Sequence, residues 1–271
     1  MVQREELGRL AGVRIARFSL DDEPTFGVVG DENGVPTIAV LSGDPLFAGL
    51  QLTGRKVALG DVRLLSPVIP RSKVVGIGKN YHAHAAEMGG EAPAEPLVFL
   101  KPNTTVIGPG DPILYPSQTN NLHYEGELAI VISRICKEIS AEDAPKVIFG
   151  YTIANDVSAR DLQQRDGQWT RAKGFDTFCP LGPWIETDFD PSKATITTKL
   201  NDEVVQNGAI SDMIHNVGAL IEHLTSFMTL LPGDVILTGT PAGVGPMEPG
   251  DEVSVTIDGI GTLTNPVMKR D

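Results

Sequence analysis

The chain has 271 residues, of which 41% are hydrophobic and 21% charged. That is enough for one large core with a small addition, and no apolar run reaches the roughly 18 residues a membrane span needs. With 22 Lys and Arg against 35 Asp and Glu the net charge is −13 and no basic cluster stands out, which excludes a nucleic-acid surface.

Residues 1–6 lack the apolar core of a secretory signal. Two cysteines, Cys136 and Cys179, form neither a disulfide framework nor a C-x-x-C pattern, so a reducing cytoplasm is the expected setting. Residues 1–68 are β-rich: residues 13–18 alternate, 25–29 follow a turn, and Asp31-Glu32-Asn33-Gly34 turns the chain into 35–40. They carry no chemical constellation and read as a small N-terminal β domain packed on the main body, residues 69–271. An extended, Pro-bounded connector over 61–70 joins the two.

Residues 73–78 form a buried strand. Gly76 and Gly78 suggest a dinucleotide fingerprint, but the third glycine is missing and that reading is rejected. His84 and Glu87 follow at i and i+3 on a short helix, either as a base oriented by a carboxylate or as a solvated face. Gly89-Gly90 and the Pro-rich residues 92–96 have the composition of a segment able to move as a lid. Lys101 ends the strand over 97–101, and 103–116 is turn-rich.

His123-Tyr124-Glu125-Gly126-Glu127-Leu128-Ala129-Ile130-Val131-Ile132 is the stretch around which the rest is organised. It begins polar and ends as a continuous β-branched run, the pattern of a strand entering a buried sheet. Residues two apart share a face, so Glu125 and Glu127 project side by side. Either both acids lie in water at a strand end, or a divalent cation offsets their repulsion and desolvation; hard oxygen ligands suit Mg²⁺ or Mn²⁺. A further buried strand over 147–154 runs into Asn155-Asp156, and Asp156 is well placed as a third ligand. Arg160 and Gln163, again i and i+3, present a guanidinium and an amide either to the same ligand or to solvent.

Residues 167–183 mix Trp, Phe, Gly and Pro without period and read as an ordered loop, in which Lys173 is by general preference exposed. A hairpin over 194–206 turns at Asn201-Asp202. Ser211 is read as the N-cap of a helix whose stripe runs through Ile214, Val217, Leu220, Ile221, Leu224, Phe227 and Met228, with His215 and His223 off the stripe at the surface. Residues 234–245 are a strand emptying into a Gly-rich loop, either an anion site or a tight turn. A β pair turned by Asp258-Gly259 closes the chain. The fold class is α+β, mainly β, and not doubly wound.

As a set, in this order and spacing, Gly78-Lys79-Asn80-Tyr81 with His84 and Glu87, Phe99-Leu100-Lys101-Pro102, Glu125-Gly126-Glu127, Asn155-Asp156-Val157-Ser158-Ala159-Arg160-Asp161, Lys173-Gly174-Phe175-Asp176 and residues 238–245 resemble the fumarylacetoacetate hydrolase family over about residues 70–268. The resemblance implies a mixed β-sheet roll, assembled as a homodimer, with Mg²⁺ or Mn²⁺ held by Glu125, Glu127 and Asp156. It implies His84 and Glu87 as the catalytic pair on a lid and Lys173 as the group that stabilises developing negative charge. Lys101, Arg160, Gln163, Asp176 and Thr240 stand as substrate-binding candidates.

What the resemblance implies about chemistry is cleavage of the C3–C4 bond of a small 2-oxo acid through a pyruvate enolate. Oxaloacetate decarboxylation is slightly favoured over acylpyruvate hydrolysis. Isomerisation or decarboxylation of a 2-hydroxyhepta-2,4-diene-1,7-dioate, and a non-catalytic protein binding a metal and a 2-oxo acid, are the alternatives.

Overall fold

The computed structural model describes residues 12–20 and 23–270; residues 1–6, read above for a signal, lie outside them. The chain is mainly strand, with a twelve-stranded mixed sheet as its frame. Its path runs Leu52–Ala58, Val35–Leu41, Glu23–Glu32, Arg14–Leu20, Cys179–Glu186, Ile148–Asn155, Gly126–Ile132, Val235–Leu237, Val74–Gly78 and Leu97–Lys101. Val235–Leu237 and Val74–Gly78 pair in parallel, and the other neighbours along the path are antiparallel. The N-terminal strands extend this sheet edge to edge rather than stacking on it, with Arg14 opposite Glu186 and Ile15 opposite Ile185.

A second sheet of five strands runs Glu203–Ala209, Thr195–Leu200, Glu252–Ile257, Gly261–Lys269 and Ile113–Tyr115. A three-stranded ribbon of Ser158–Ala159, Leu122–Tyr124 and Gly245–Pro246 connects the two regions. Asn201 takes the left-handed conformation at the turn between Thr195–Leu200 and Glu203–Ala209, as its hairpin position requires.

Every residue of Gly126–Ile132 is buried. Ala129 and Val131 pack with Ile15, Leu181 and Val235, whereas Ile130 and Ile132 pack with Leu220, Ile221 and Leu224 of the helix Val217–Phe227. Cover on both faces is why this strand reads as an unbroken apolar run and not as an alternation.

That helix is shorter than its stripe predicts. Ser211 lies in the 3₁₀ turn Ile210–Asp212, and the N-cap is Asn216, whose Oδ1 accepts from Ala219 N at 3.0 Å. Ile214 is kept out of the helix because its N–H donates to Asn80 O at 2.9 Å. Phe227 ends the helix exposed, and both His215 and His223 are half-buried rather than superficial. The segment read as one loop over 167–183 divides into a short helix, Thr170–Lys173, and the start of the strand Cys179–Glu186.

The two glycines of the discarded fingerprint have a packing role. A Cβ on Gly76 would lie 2.2 Å from the Phe99 ring, and one on Gly78 would lie 2.6 Å from the Trp169 ring. Phe99 and Trp169 pack edge to face at 5.4 Å. Gly76→Ala is therefore expected to destabilise the protein by about 1–3 kcal/mol through overpacking. A lowered urea midpoint would show it, and an unchanged one would mean that the ring moves aside freely.

Candidate active site

Glu125 and Glu127 do not project from one strand. Leu122–Tyr124 belongs to the ribbon and Gly126–Ile132 to the large sheet, so Glu125 is the joint between them. Asn155 Oδ1 accepts from Glu125 N at 2.9 Å, and Asp156 N donates to Glu125 O at 2.8 Å. These bonds fix the kink and carry Asp156, one residue past Ile148–Asn155, to the two glutamates. Carboxylate oxygens of Glu125, Glu127 and Asp156 lie within 4.8 Å of one another, and all three residues are buried. Gly126 separates the glutamates because the second sheet comes too close for a side chain: a Cβ there would stand 2.3 Å from Thr198 Oγ1.

Three buried cations meet this cluster. Lys173 Nζ donates to Glu125 Oε2 at 2.7 Å and to Asp156 Oδ2 at 2.6 Å, and it stands 5.1 Å from the Phe99 ring centroid. The surface preference that made it an exposed loop lysine is overridden by this pairing, and Lys173 is 2% exposed. Arg160 Nη2 donates to Glu125 Oε1 and its Nη1 to Gln163 Oε1 at 2.9 Å. Lys101 Nζ donates to Asp156 Oδ1.

The acids differ in what compensates them. Burial works to raise the Glu125 carboxyl, but Arg160 and Lys173 outweigh it and hold the group below its ordinary range. Burial also opposes the Lys173 ammonium, and Asp156 and Glu125 reverse that and raise it. Glu127 is pushed well above the usual carboxylate range, first by burial and then by Asp156 and Glu125. Its Oε2 accepts from Gly239 N at 2.7 Å, and no other hydrogen bond reaches it among the described residues. A cluster of three hard oxygens in which one acid lacks a cation fits a small divalent ion of the Mg²⁺ or Mn²⁺ class.

The Gly-rich loop after Val235–Leu237 binds carboxylates, and they are the protein's own. Gly239 N serves Glu127, and Gly243 N donates to Glu87 Oε1 at 3.0 Å. Glu87 Oε2 lies 3.2 Å from His84 Nδ1, so one carboxylate ties the imidazole on the helix His82–Glu87 to the loop. His84 is buried, and its Nε2 is the ring nitrogen left for a bound molecule. Thr240 Oγ1 donates to Gly126 O and accepts from Gln206 Nε2, both at 2.8 Å, which commits its hydroxyl to the scaffold.

These groups enclose one cavity of about 190 Å³. Glu125, Glu127, Asp156, His84, Lys173, Arg160, Gln163 and Thr240 line it, along with Lys79, Met88, Phe99 and Trp169. Two candidates are placed elsewhere. Lys101 is fully buried behind Asp156, and Asp176 is exposed, outside the lining. Three residues without an assigned role in the sequence also matter. Lys79 lines the cavity, Gln206 binds Gly126 N, Thr240 and Pro241 O, and Asn80 bonds to His215 N, His215 O and Thr238 O. Asn80 thereby anchors the root of the helix that carries His84. An Asn two residues past a strand end was the available signal.

No helix of the described residues is long and apolar enough to cross a membrane. Cys136 and Cys179 are buried and free; burial, ahead of all else, pushes the Cys179 thiol up to about 12.

Comparison with known proteins agrees with this arrangement. The family model for the fumarylacetoacetate (FAA) hydrolase C-terminal region matches residues 73–268, and one described as Rv2993c-like, N-terminal, matches 13–67. The solved structure of 2-hydroxyhepta-2,4-diene-1,7-dioate isomerase from Mycobacterium marinum is 52% identical with a TM-score of 0.88, over 95% of this chain and 99% of that one. Oxaloacetate tautomerase YisK of Bacillus subtilis is 45% identical over 224 residues, 78% of this chain and 74% of that protein. Maleylpyruvate hydrolase from Sphingobium sp. SYK-6, solved with manganese(II) and pyruvate, is 29% identical with a TM-score of 0.77, over 95% of this chain and 100% of that one. The chain belongs to the fumarylacetoacetate hydrolase family, whose members are enzymes.

Proposed function

We propose that this protein is a divalent-metal-dependent enzyme that interconverts the keto and enol forms of a small 2-oxo acid of the oxaloacetate type. The observation that carries the reading is a single small cavity lined by a carboxylate-oriented histidine, a buried lysine and three converging acids. Glu125, Glu127 and Asp156 would hold Mg²⁺ or Mn²⁺, which supplies Lewis acidity toward the substrate's oxygens when bound. The manganese in the Sphingobium relative and the name of the Bacillus relative support the assignment.

His84 Nε2 takes the proton from C3, and the electron pair of that bond becomes the C2–C3 π bond. The C2 carbonyl pair moves to its oxygen, where Lys173 meets the growing charge. An ammonium has three N–H donors, and Glu125 and Asp156 occupy two of them. Glu87 holds the imidazolium that forms at His84. The His84 imidazolium then gives that same proton to the C2 oxygen, which yields the enol and restores the neutral imidazole, and the reverse sequence returns the ketone. Burial of His84 and Lys173 keeps bulk water from exchanging that proton.

Cleavage of the C3–C4 bond is the second reading, since loss of CO₂ or transfer of an acyl group to water leaves the same enolate for Lys173 to stabilise. It is favoured by the 29% identity with a maleylpyruvate hydrolase. A homodimer belongs to the same proposal and rests on the family resemblance.

The test follows the ultraviolet absorbance of the oxaloacetate enol with and without Mg²⁺ or Mn²⁺, while pyruvate is assayed separately. Ion-dependent acceleration without pyruvate supports the tautomerase, pyruvate supports cleavage, and neither signal sinks both. Glu127→Gln keeps an acceptor for Gly239 N and removes the one acid that lacks a cation. It is expected to fold normally and to weaken Mn²⁺ binding by about 10–100-fold, measured by calorimetry.

A further inference from the structure

We infer that Lys79 receives the second carboxylate of a dicarboxylic 2-oxo acid and so sets the preference of this cavity for dianionic over monoanionic substrates; the inference rests on the cavity being a 2-oxo acid site. Three Lys or Arg residues line the cavity, namely Lys79, Arg160 and Lys173. Arg160 is paired with Glu125, and Lys173 with Glu125 and Asp156. Lys79 has no ion pair or side-chain hydrogen bond among the described residues, which makes it the lining cation whose charge no acid of the described chain offsets. In a protein of net charge −13, a dianion entering this cavity needs such a group.

The backbone holds Lys79 where it can act. Its φ is +57°, in the left-handed region that a residue with a side chain rarely adopts. On one side Gly78 is pressed against the Trp169 ring, and on the other Asn80 is bonded to His215 and Thr238. The ammonium lies beneath the turn that follows the helix His82–Glu87: a Cβ on Gly90 would stand 3.1 Å from Lys79 Nζ. A half-buried cation roofed by a turn binds a carboxylate by a charge-assisted hydrogen bond that bulk water screens poorly.

The test compares two inert 2-hydroxy acids, malate and 2-hydroxypentanoate, which share the first carboxylate and the adjacent oxygen and differ in whether the tail is charged. Their binding to the full-length protein is measured by calorimetry with Mg²⁺ present. The wild type is expected to prefer malate, Lys79→Met to reduce that preference by about tenfold, and Lys79→Arg to restore most of it. A wild type without the preference, or a Lys79→Met variant that keeps it, overturns the inference. Because the probes do not react, the outcome is read separately from the enol assay: a protein that prefers malate through Lys79 yet turns over no oxaloacetate would sink the proposed activity and leave the dicarboxylate site standing.

Discussion

Replacing Asp156 with alanine is expected to lower the unfolding free energy by about 3–5 kcal/mol, the cost of leaving a buried charge without its partner. The cause is less the acid than the lysine behind it. Lys101 is fully buried, and among the described residues its only hydrogen-bond partner besides Asp156 is Val157 O, at 3.4 Å. Lys173 suffers less because Glu125 still accepts from it at 2.7 Å. Asp156→Asn keeps the shape and one oxygen acceptor, so its loss should be smaller. Urea unfolding in metal-free buffer measures both variants without a contribution from the ion. If Asp156→Ala unfolds at the wild-type midpoint, Lys101 is not stabilised as a charge by this contact.

The second large effect is on turnover. His84→Ala is expected to slow ion-dependent enolisation by about 10²–10⁴-fold, the usual worth of a positioned general base. The three acids do not touch the imidazole through any hydrogen bond, so Mn²⁺ affinity and the urea midpoint should stay close to wild type. Glu87→Gln should fall between wild type and His84→Ala. An amide still accepts from Gly243 N, but it no longer offsets a positive imidazole. Stopped-flow measurement with saturating Mg²⁺ decides the matter. Wild-type rates in His84→Ala would remove the histidine from the chemistry and bring forward the reading of a protein that binds a 2-oxo acid without converting it.

The residues of the acidic cluster were legible because each is marked by local pattern: two acids two apart before an apolar run, and a third just past a buried strand. The path by which they meet was not. Strand alternation places Glu125 beside Glu127, whereas the chain changes sheets at Glu125, and that change depends on Asn155, 30 residues away. Lys173 shows the same limit more sharply. Nothing within its own loop announces burial; Glu125 and Asp156, 48 and 17 residues distant, impose it. The Gly-rich loop, which the sequence leaves open between an anion site and a tight turn, directs its amides to the protein's own Glu127 and Glu87. Asp176 sits three residues from Lys173 in sequence and still ends outside the cavity, because the short helix Thr170–Lys173 stops before it. Ser211 and Asn216 both suit an N-cap, and only the bond from Ile214 N to Asn80 O decides between them.

The strand Cys179–Glu186 has one long side occupied by Ile148–Asn155 and a second side that two distant pieces share. Val106–Ile107 lies against its beginning at Cys179 and Pro180, and the N-terminal strand lies against its end at Ile185 and Glu186. Each piece satisfies peptide groups that would otherwise form an open template for another chain. The N-terminal strands thus have a use that needs no substrate and no ion: they take up the peptide groups of Ile185 and Glu186 and carry the sheet on to a new edge at Leu52–Ala58, far from the chemistry.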